Sequence, residues 1–92
     1  MQALRILIVD DEAYIRMLIE QTLEELEDEG VEIFTAENGE LGLEIIKEEA
    51  PNLVFLDVMM PKMSRFEVCR RLKKDTSTEG IPVIMLTSLL VA

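Results

Sequence analysis

Short apolar runs alternate along the chain with longer segments in which apolar residues recur every three or four positions. Four runs are predicted as strands, at residues 4–9, 31–36, 53–56 and 81–86. Three of them are almost continuously apolar, as in strands buried on both faces, whereas residues 31–36 alternate apolar and polar side chains, as in a half-exposed edge strand. Strands that alternate with helical patterns predict an α/β domain with a parallel sheet.

The segments between the strands predict three helices. The first covers residues 13–29, and Gly30 follows where a left-handed residue is favoured. Its buried stripe would comprise Ile15, Leu18, Ile19, Thr22, Leu23 and Leu26. The second opens at Asn38 and ends before Pro51. Its apolar positions are Leu41, Ile45 and Ile46.

The third helix is predicted from a capping box, in which Ser64 precedes Glu67 by three residues. Its inward positions would be Phe66, Cys69 and Leu72. Because the chain shows no linker, repeat or low-complexity segment, residues 1–92 are expected to form a single domain.

Composition narrows the classes of function. A formal charge of -10 and a pI near 4.3 disfavour direct binding to nucleic acid, because phosphates are recognised by clusters of Lys and Arg. With one cysteine, Cys69, and no histidine, the chain lacks both an internal disulfide and the spacing of a zinc site. No run has the length of a membrane span or the pattern of a signal peptide, so a soluble, cytoplasmic protein is expected.

Acidic residues and a hydroxyl group follow the predicted strands. Ligands of open parallel sheets bind beyond the carboxyl ends of the strands, and those ends hold Asp10, Asp11, Asp57 and Thr87. Converging carboxylates repel one another unless a cation relieves them, and Mg²⁺ suits because it takes few carboxylates and leaves room for a phosphate oxygen. Asp57 could then attack phosphorus and form an aspartyl phosphate, with the Thr87 hydroxyl on one of its oxygens.

The same residues also have purely structural interpretations. Asp10 and Asp11 could cap the first helix, Asp57 could be a turn residue, and Thr87 could be an ordinary strand residue. Cys69 is expected to pack as a small core residue and to have no redox role. Each of these residues is weak evidence alone, but acids at two strand ends and a hydroxyl at a third together favour the phosphoryl site.

Three motifs resemble, in order and spacing, the signatures of the receiver domains of two-component response regulators. They are Ile8-Val9-Asp10-Asp11-Glu12, Leu56-Asp57-Val58-Met59-Met60-Pro61 and Leu86-Thr87-Ser88. The resemblance implies a flavodoxin-like, doubly wound parallel sheet, here with four strands in the order 2-1-3-4 and three helices. It also implies that a sensor histidine kinase donates a phosphoryl group to this domain.

The resemblance assigns a role to each motif residue. Asp57 resembles the phosphoacceptor and Thr87 the switch hydroxyl, while the backbone N–H of Ser88 would contact the phosphoryl group. Mg²⁺ would be held by Asp10, Asp11, Asp57 and the backbone carbonyl of Met59.

Complete receivers continue beyond the fourth strand with a helix, a fifth strand that bears an essential lysine, and a last helix, whereas this chain stops at Ala92. A truncated receiver, with impaired phosphorylation, is therefore expected. The fourth strand would lie at an edge, and exposed apolar edges recruit partners. A homodimer is expected through the edge that begins at Ile81 and includes the residues up to Ala92.

The favoured interpretation is a phosphoacceptor signalling module and not an enzyme. The alternative is a non-switching, oligomeric receiver remnant or interaction fragment without phosphorelay activity. A phosphatase with an aspartate nucleophile, of the haloacid-dehalogenase kind, fits less well, because that family places a second acid where this chain has Met59.

Overall fold

The computed structural model describes residues 4–57, 65–76 and 78–86, and it describes only the backbone of Asp57, Arg65, Phe66, Met85 and Leu86. The strands in these residues are β1 Arg5–Val9, β2 Glu32–Ala36, β3 Leu53–Asp57 and β4 Val83–Leu86. The helices are α1 Ala13–Thr22, α2 Glu24–Glu27, α3 Gly39–Glu49 and α4 Arg65–Lys74.

The four strands form one sheet in the order β2-β1-β3-β4, and every neighbouring pair is parallel. The predicted α/β, flavodoxin-like, doubly wound fold with strand order 2-1-3-4 is confirmed. The chain passes from β1 to β2 on one side, and then through α3 to β3 on the other side of β1. The carboxyl ends of β1 and β3 therefore form a switch point, where open sheets of this kind bind ligands.

The larger core cluster lies on one face of the sheet, beneath α3 and α4, and Ile6 and Ile8 are buried on the other face. The sheet supplies Leu7, Val9, Ala36, Val54 and Leu56, and the helices supply Leu43, Ile46, Val68 and Leu72. Each fully buried aliphatic side chain stabilises the fold by about 1.5–3 kcal/mol. This face therefore holds the central strands, and with them the switch point, in a fixed arrangement.

The inward face of α3 differs from the predicted one by a small rotation. Ile46 is buried as predicted and Ile45 is half-buried, but Leu41 is exposed and Leu43 lies in the core in its place. The reason is a close approach at Gly42, where an added Cβ would lie 2.9 Å from Val9 Cγ2. Gly42 thus lies on the inward face of α3 with Gly39, Leu43 and Ile46, and Leu41 lies on the opposite side of the helix.

The predicted first helix is interrupted, so that the described residues contain four helical segments where three helices are predicted. The break falls at Leu23, between α1 and α2. Thr22 Oγ1 donates to the Leu18 carbonyl at 2.9 Å, a bond that tends to bend helices. The acidic run after Leu23 also places like charges three and four residues apart, which weakens a continuing helix.

The predicted burial of the first helix's apolar stripe is wrong. No residue of α1 or α2 is buried, and Leu18 and Leu26 are each 37% exposed. Leu18 and Leu23 line a cleft of about 240 Å³ with Phe55, whose chain neighbours point into the core on the opposite face. Within the described residues, α1 is the only long helix on this face, so its stripe is covered on one side alone.

The helix ends follow local chemistry. Asn38 Oδ1 accepts the Leu41 N–H at 2.9 Å and caps α3, as predicted. Gly30 has φ +96°, and the N–H groups of Gly30 and Val31 donate back to the Glu27 and Leu26 carbonyls, which completes a Schellman motif after α2.

The later elements differ from prediction only locally. In α4, Leu72 is buried and Cys69 packs half-buried against the core, as predicted, but the buried Val68 is not foreseen. Ser64 and the side chain of Phe66 lie outside the described residues. The fourth strand begins at Val83, two residues later than predicted, because the Ile81 N–H donates to the Thr78 carbonyl in a turn.

Candidate functional site

The carboxyl ends of β1 and β3 bring two of the predicted acidic positions together. Val9 pairs with Leu56, and the residues that follow this pair are Asp10 and Asp57. Parallel neighbours lie about 4.8 Å apart, so the two backbones are adjacent at one level of the sheet. Asp57 in turn pairs with Leu86 of β4. The side chain of Asp57 is outside the description, and its role as phosphoacceptor stays a prediction.

Asp10 is buried and fixed on both sides. It is 3% exposed, and its N–H donates to the Ala36 carbonyl at 3.1 Å, which continues the ladder to β2. Its Oδ1 accepts the Glu12 N–H at 2.9 Å and shapes the turn into α1. Asp10 therefore shapes the turn before α1, but it does not cap this helix, whose N-cap residue is Glu12.

Asp11 differs from its neighbour in being exposed. The acidic pair thus combines one buried carboxylate, held by the backbone, with one that faces solvent. Mg²⁺ in proteins is usually bound by one or two carboxylates and several water molecules. A carboxylate that faces solvent leaves room for those water molecules.

Arg16 is the component of the site that sequence reasoning missed. Its Nη1 donates to the backbone carbonyl of Asp10 at 2.6 Å, and its side chain is half-buried. Arg16 also lines a groove of about 390 Å³ beside the carboxyl end of β2, together with Thr35 and Ile45. A basic residue six positions after the first acid of the pair is the one signal the sequence offers.

Three predicted site residues lie outside the described residues: Met59, Thr87 and Ser88. The chain does place Thr87 directly after Leu86, the backbone partner of Asp57. The structure therefore brings Asp10, Asp11 and the backbone of Asp57 to one edge, and the remaining assignments stay predictions.

The donor chemistry at this edge fits a hard divalent cation. All of the predicted ligands offer oxygen, and the whole chain has no histidine. Among the residues that the structure describes, no three acidic, histidine or cysteine side chains cluster as metal ligands. The side chain of Asp57 lies outside the described residues, so the Mg²⁺ site stays a prediction.

Electrostatics outside this edge centre on α4. Glu67 accepts a hydrogen bond from Arg70, and that bond, with the charges of Arg70 and Arg71, lowers the pKa of Glu67 below its ordinary value of 4.5. A cavity of about 700 Å³ lies between α3 and α4 over Leu43 and Leu72. Neither feature touches Asp10 or Asp11.

Comparison with known proteins agrees with this geometry. The model of the response regulator receiver domain matches residues 6–90. The chain is 48% identical over 85 residues to "Probable transcriptional regulator ycf27" of Porphyra purpurea, covering 92% of this chain and 32% of that protein. It is 44% identical over 86 residues to "Response regulator PleD" of Caulobacter vibrioides, covering 92% of this chain and 18% of that protein.

Solved structures show the same fold. The N-terminal domain of a response regulator receiver protein from Methanoculleus marisnigri JR1 has a TM-score of 0.81 and 40% identity, over 91% of this chain and 66% of that one. Vibrio cholerae chemotaxis protein CheY4 also has a TM-score of 0.81, with 30% identity, over 94% of this chain and 69% of that one. The chain thus spans about one third of the length of the curated transcriptional regulators and about two thirds of the solved receivers.

The prediction excluded enzymatic activity for this chain, and the comparisons contradict that prediction. The matching proteins are response regulators, in a family whose domains accept phosphate on an aspartate. One of them, PleD, has most of its length outside the matched 18%. Membership of such a family gives no basis for excluding enzymatic activity from the protein.

Two further predictions concern membrane spans and the alternative function. In the described residues, no helix combines the length and the apolar character needed to cross a membrane. The alternative of a non-switching remnant is not favoured, because the family match runs through all three motifs and 85 residues of similarity to regulators. The fold, the switch-point acids and the family match together lead to one conclusion: this chain belongs to the response regulator receiver domain family.

Proposed function

We propose that this receiver domain takes a phosphoryl group from a sensor histidine kinase onto Asp57, with Mg²⁺ bound by the neighbouring acids. The observation that carries the proposal is the position of Asp57 beside Asp10 at the switch point, where Asp10 is buried and held by two hydrogen bonds. Residues 1–92 act in this proposal as a single receiver unit.

The reaction is a displacement at phosphorus. A carboxylate oxygen of Asp57 attacks the phosphoryl group, a new O–P bond forms, and the N–P bond to the kinase histidine breaks, with a proton taken up by the leaving imidazole. Catalysis of such a transfer depends mainly on position and charge. Thr87 would donate its hydroxyl, and Ser88 its backbone N–H, to the phosphoryl oxygens.

The metal would be held by Asp10, Asp11, Asp57 and the Met59 carbonyl. When bound, Mg²⁺ neutralises charge on the carboxylates and on the transferring phosphoryl group. The role of the buried Asp10 is to present a carboxylate whose position is set by the backbone, and that of Asp11 is to present one that water can also reach.

The net charge of the chain bears on whether nucleic acid is a partner. A net charge of -10 opposes direct contact with nucleic acid, so any DNA contact of a longer protein would belong to its other parts. The exchange with the kinase would take place in the cytoplasm.

Self-association is the second part of the proposal, through the edge from Ile81 to Ala92. Within the described residues, β4 pairs with β3 alone, and Ile84 at its centre is 45% exposed. Such an edge is a template for another strand. Size-exclusion chromatography with light scattering should give a dimer at micromolar concentration, and Ile84→Lys should shift it toward the monomer. A wild-type monomer would contradict this part alone.

The phosphoacceptor proposal is tested by intact-mass spectrometry after incubation with acetyl phosphate and Mg²⁺. The wild-type chain should gain one labile phosphoryl group, whereas Asp57→Asn should gain none and Asp11→Asn should gain it more slowly. Glu37→Gln is the matched control, since Glu37 is an exposed acid that directly follows β2 at the same edge of the sheet. A folded wild-type chain without the adduct would contradict the proposal.

A further inference from the structure

The end of β1 is tied to α1 by a hydrogen bond whose donor lies six residues further along the chain. The guanidinium of Arg16 donates through Nη1 to the backbone carbonyl of Asp10 at 2.6 Å. The side chain is half-buried and therefore held against the protein rather than extended into water. A short bond from a charged donor is among the stronger hydrogen bonds of proteins.

This carbonyl has a particular place in the acidic pair. It belongs to the peptide unit that joins Asp10 to Asp11, and a peptide unit is planar. A bond that holds the oxygen of this planar unit therefore also restricts the orientation of the backbone at Asp11. Asp11 is exposed, so packing by neighbouring side chains does little to hold it.

Other hydrogen bonds hold the groups on either side of this peptide unit. The Asp10 N–H donates to Ala36, and Asp10 Oδ1 accepts the N–H of Glu12. The Glu12 carbonyl accepts the Arg16 N–H at 3.1 Å, which ties the same arginine to the start of the helix. With the bond from Nη1, Arg16 closes a ring of hydrogen bonds that runs from β1 through the acidic turn into α1.

We infer that Arg16 is a positioning residue for the metal site: it holds the Asp10-Asp11 peptide so that the two carboxylates keep their relative orientation before a metal or phosphoryl group arrives. This inference rests on the proposed function. Groups that orient metal ligands from behind typically change metal affinity by about 10–100-fold when they are removed. Arginine suits the task because its rigid guanidinium can donate in several directions.

The chain offers a matched control at the other end of the same strand. Arg5 Nη1 donates to the backbone carbonyl of Glu49 at 2.8 Å, and Arg5 is also half-buried. Arg5→Met and Arg16→Met each remove one bond from a guanidinium to a backbone carbonyl, and Arg5→Met also removes the ion pair of Arg5 with Glu32, at 3.6 Å. Both variants should lower stability, but Arg16→Met alone removes the bond to the acidic pair.

The first measurement uses the metal-free chain and follows amide hydrogen exchange by NMR. Arg16→Met should speed exchange of the Glu12 N–H, whose bond to Asp10 Oδ1 depends on the geometry of the turn, by about tenfold or more relative to Arg5→Met. Arg16→Lys should restore part of the protection. Equal exchange rates at Glu12 in the two methionine variants would overturn the inference, whether or not the chain binds a metal.

The second measurement is calorimetric titration with Mg²⁺. Arg16→Met should weaken Mg²⁺ binding by about tenfold, with Arg5→Met close to wild type. Unchanged affinity in a folded Arg16→Met chain would overturn the inference while leaving the proposed function intact. Absence of Mg²⁺ binding in the wild type would instead count against the proposed function, and Glu12 exchange would still decide whether Arg16 holds the turn.

Discussion

Substitution of Gly42 by alanine tests the packing that carries β1 and the acidic turn. The added Cβ would lie 2.9 Å from Val9 Cγ2 and 3.4 Å from Cγ1, and Val9 is 1% exposed, with no free space to move into. Overpacking of a core costs about 1–3 kcal/mol, while replacing glycine by alanine inside a helix returns about 1 kcal/mol. We expect the Gly42→Ala chain to be less stable by about 1 kcal/mol.

The assay is urea unfolding followed by far-ultraviolet circular dichroism, since the chain has no tryptophan and one tyrosine. Gly80→Ala is the control, because an added Cβ there meets no atom within 4 Å, and its stability should change little or rise. In a Val9→Ala background the obstructing methyl groups are gone, and Gly42→Ala should then stabilise by up to about 1 kcal/mol. A stabilising Gly42→Ala in the wild-type background, or no reversal of sign, would refute this packing argument.

Three further predictions concern single positions. Asn38→Ala should lose about 1 kcal/mol in urea unfolding, because the cap on the Leu41 N–H is removed, and an unchanged midpoint would contradict the role of this cap. Ala50→Gly should gain roughly 0.5 kcal/mol, since Ala50 has φ +47° in the left-handed region, and a loss would show that this strain is absent. By NMR titration, the pKa of Glu67 should lie below 4.5 and rise in Arg70→Gln. Because the folded-state pKa is lowered, this pair stabilises the chain above pH 4.5 and ceases to do so as the pH falls through the lowered pKa, so a pKa at or above 4.5 would rule the pair out.

The strands could be predicted because a strand buried on both faces appears in the sequence as a continuous apolar run, whereas their order was implied by the resemblance to receiver domains. Continuous apolar runs that end at Asp10 and Asp57 mark strands covered on both faces, and a charged residue ends each run at the sheet's edge. Gly30 and Asn38 could also be assigned, since each side chain, or its absence, satisfies one specific backbone requirement.

Packing between elements was less predictable. The helical period alone does not decide between Leu41 and Leu43, because the choice depends on how closely α3 approaches Val9 at Gly42. Pro51 does predict the end of α3, since the residue before proline avoids the helical region, but the left-handed conformation of Ala50 has no signal in its own side chain.

The candidate site could be predicted for the same reason as the strands, through acids that follow buried runs. The role of Arg16 could not, because a basic residue six positions after Asp10 does not by itself indicate a bond from its side chain to that backbone carbonyl. The exposure of α1 likewise depends on what covers that face of the sheet, which periodicity within the helix does not reveal.

The most direct test of the central claim is to identify the residue that carries the phosphoryl group. After treatment with acetyl phosphate and Mg²⁺, reduction with borohydride converts an aspartyl phosphate into a stable product that peptide mass spectrometry can locate. The account predicts a single modified position, Asp57, among the 19 acidic residues of the chain. Modification at another acid, or none in a folded sample that binds Mg²⁺, would contradict it.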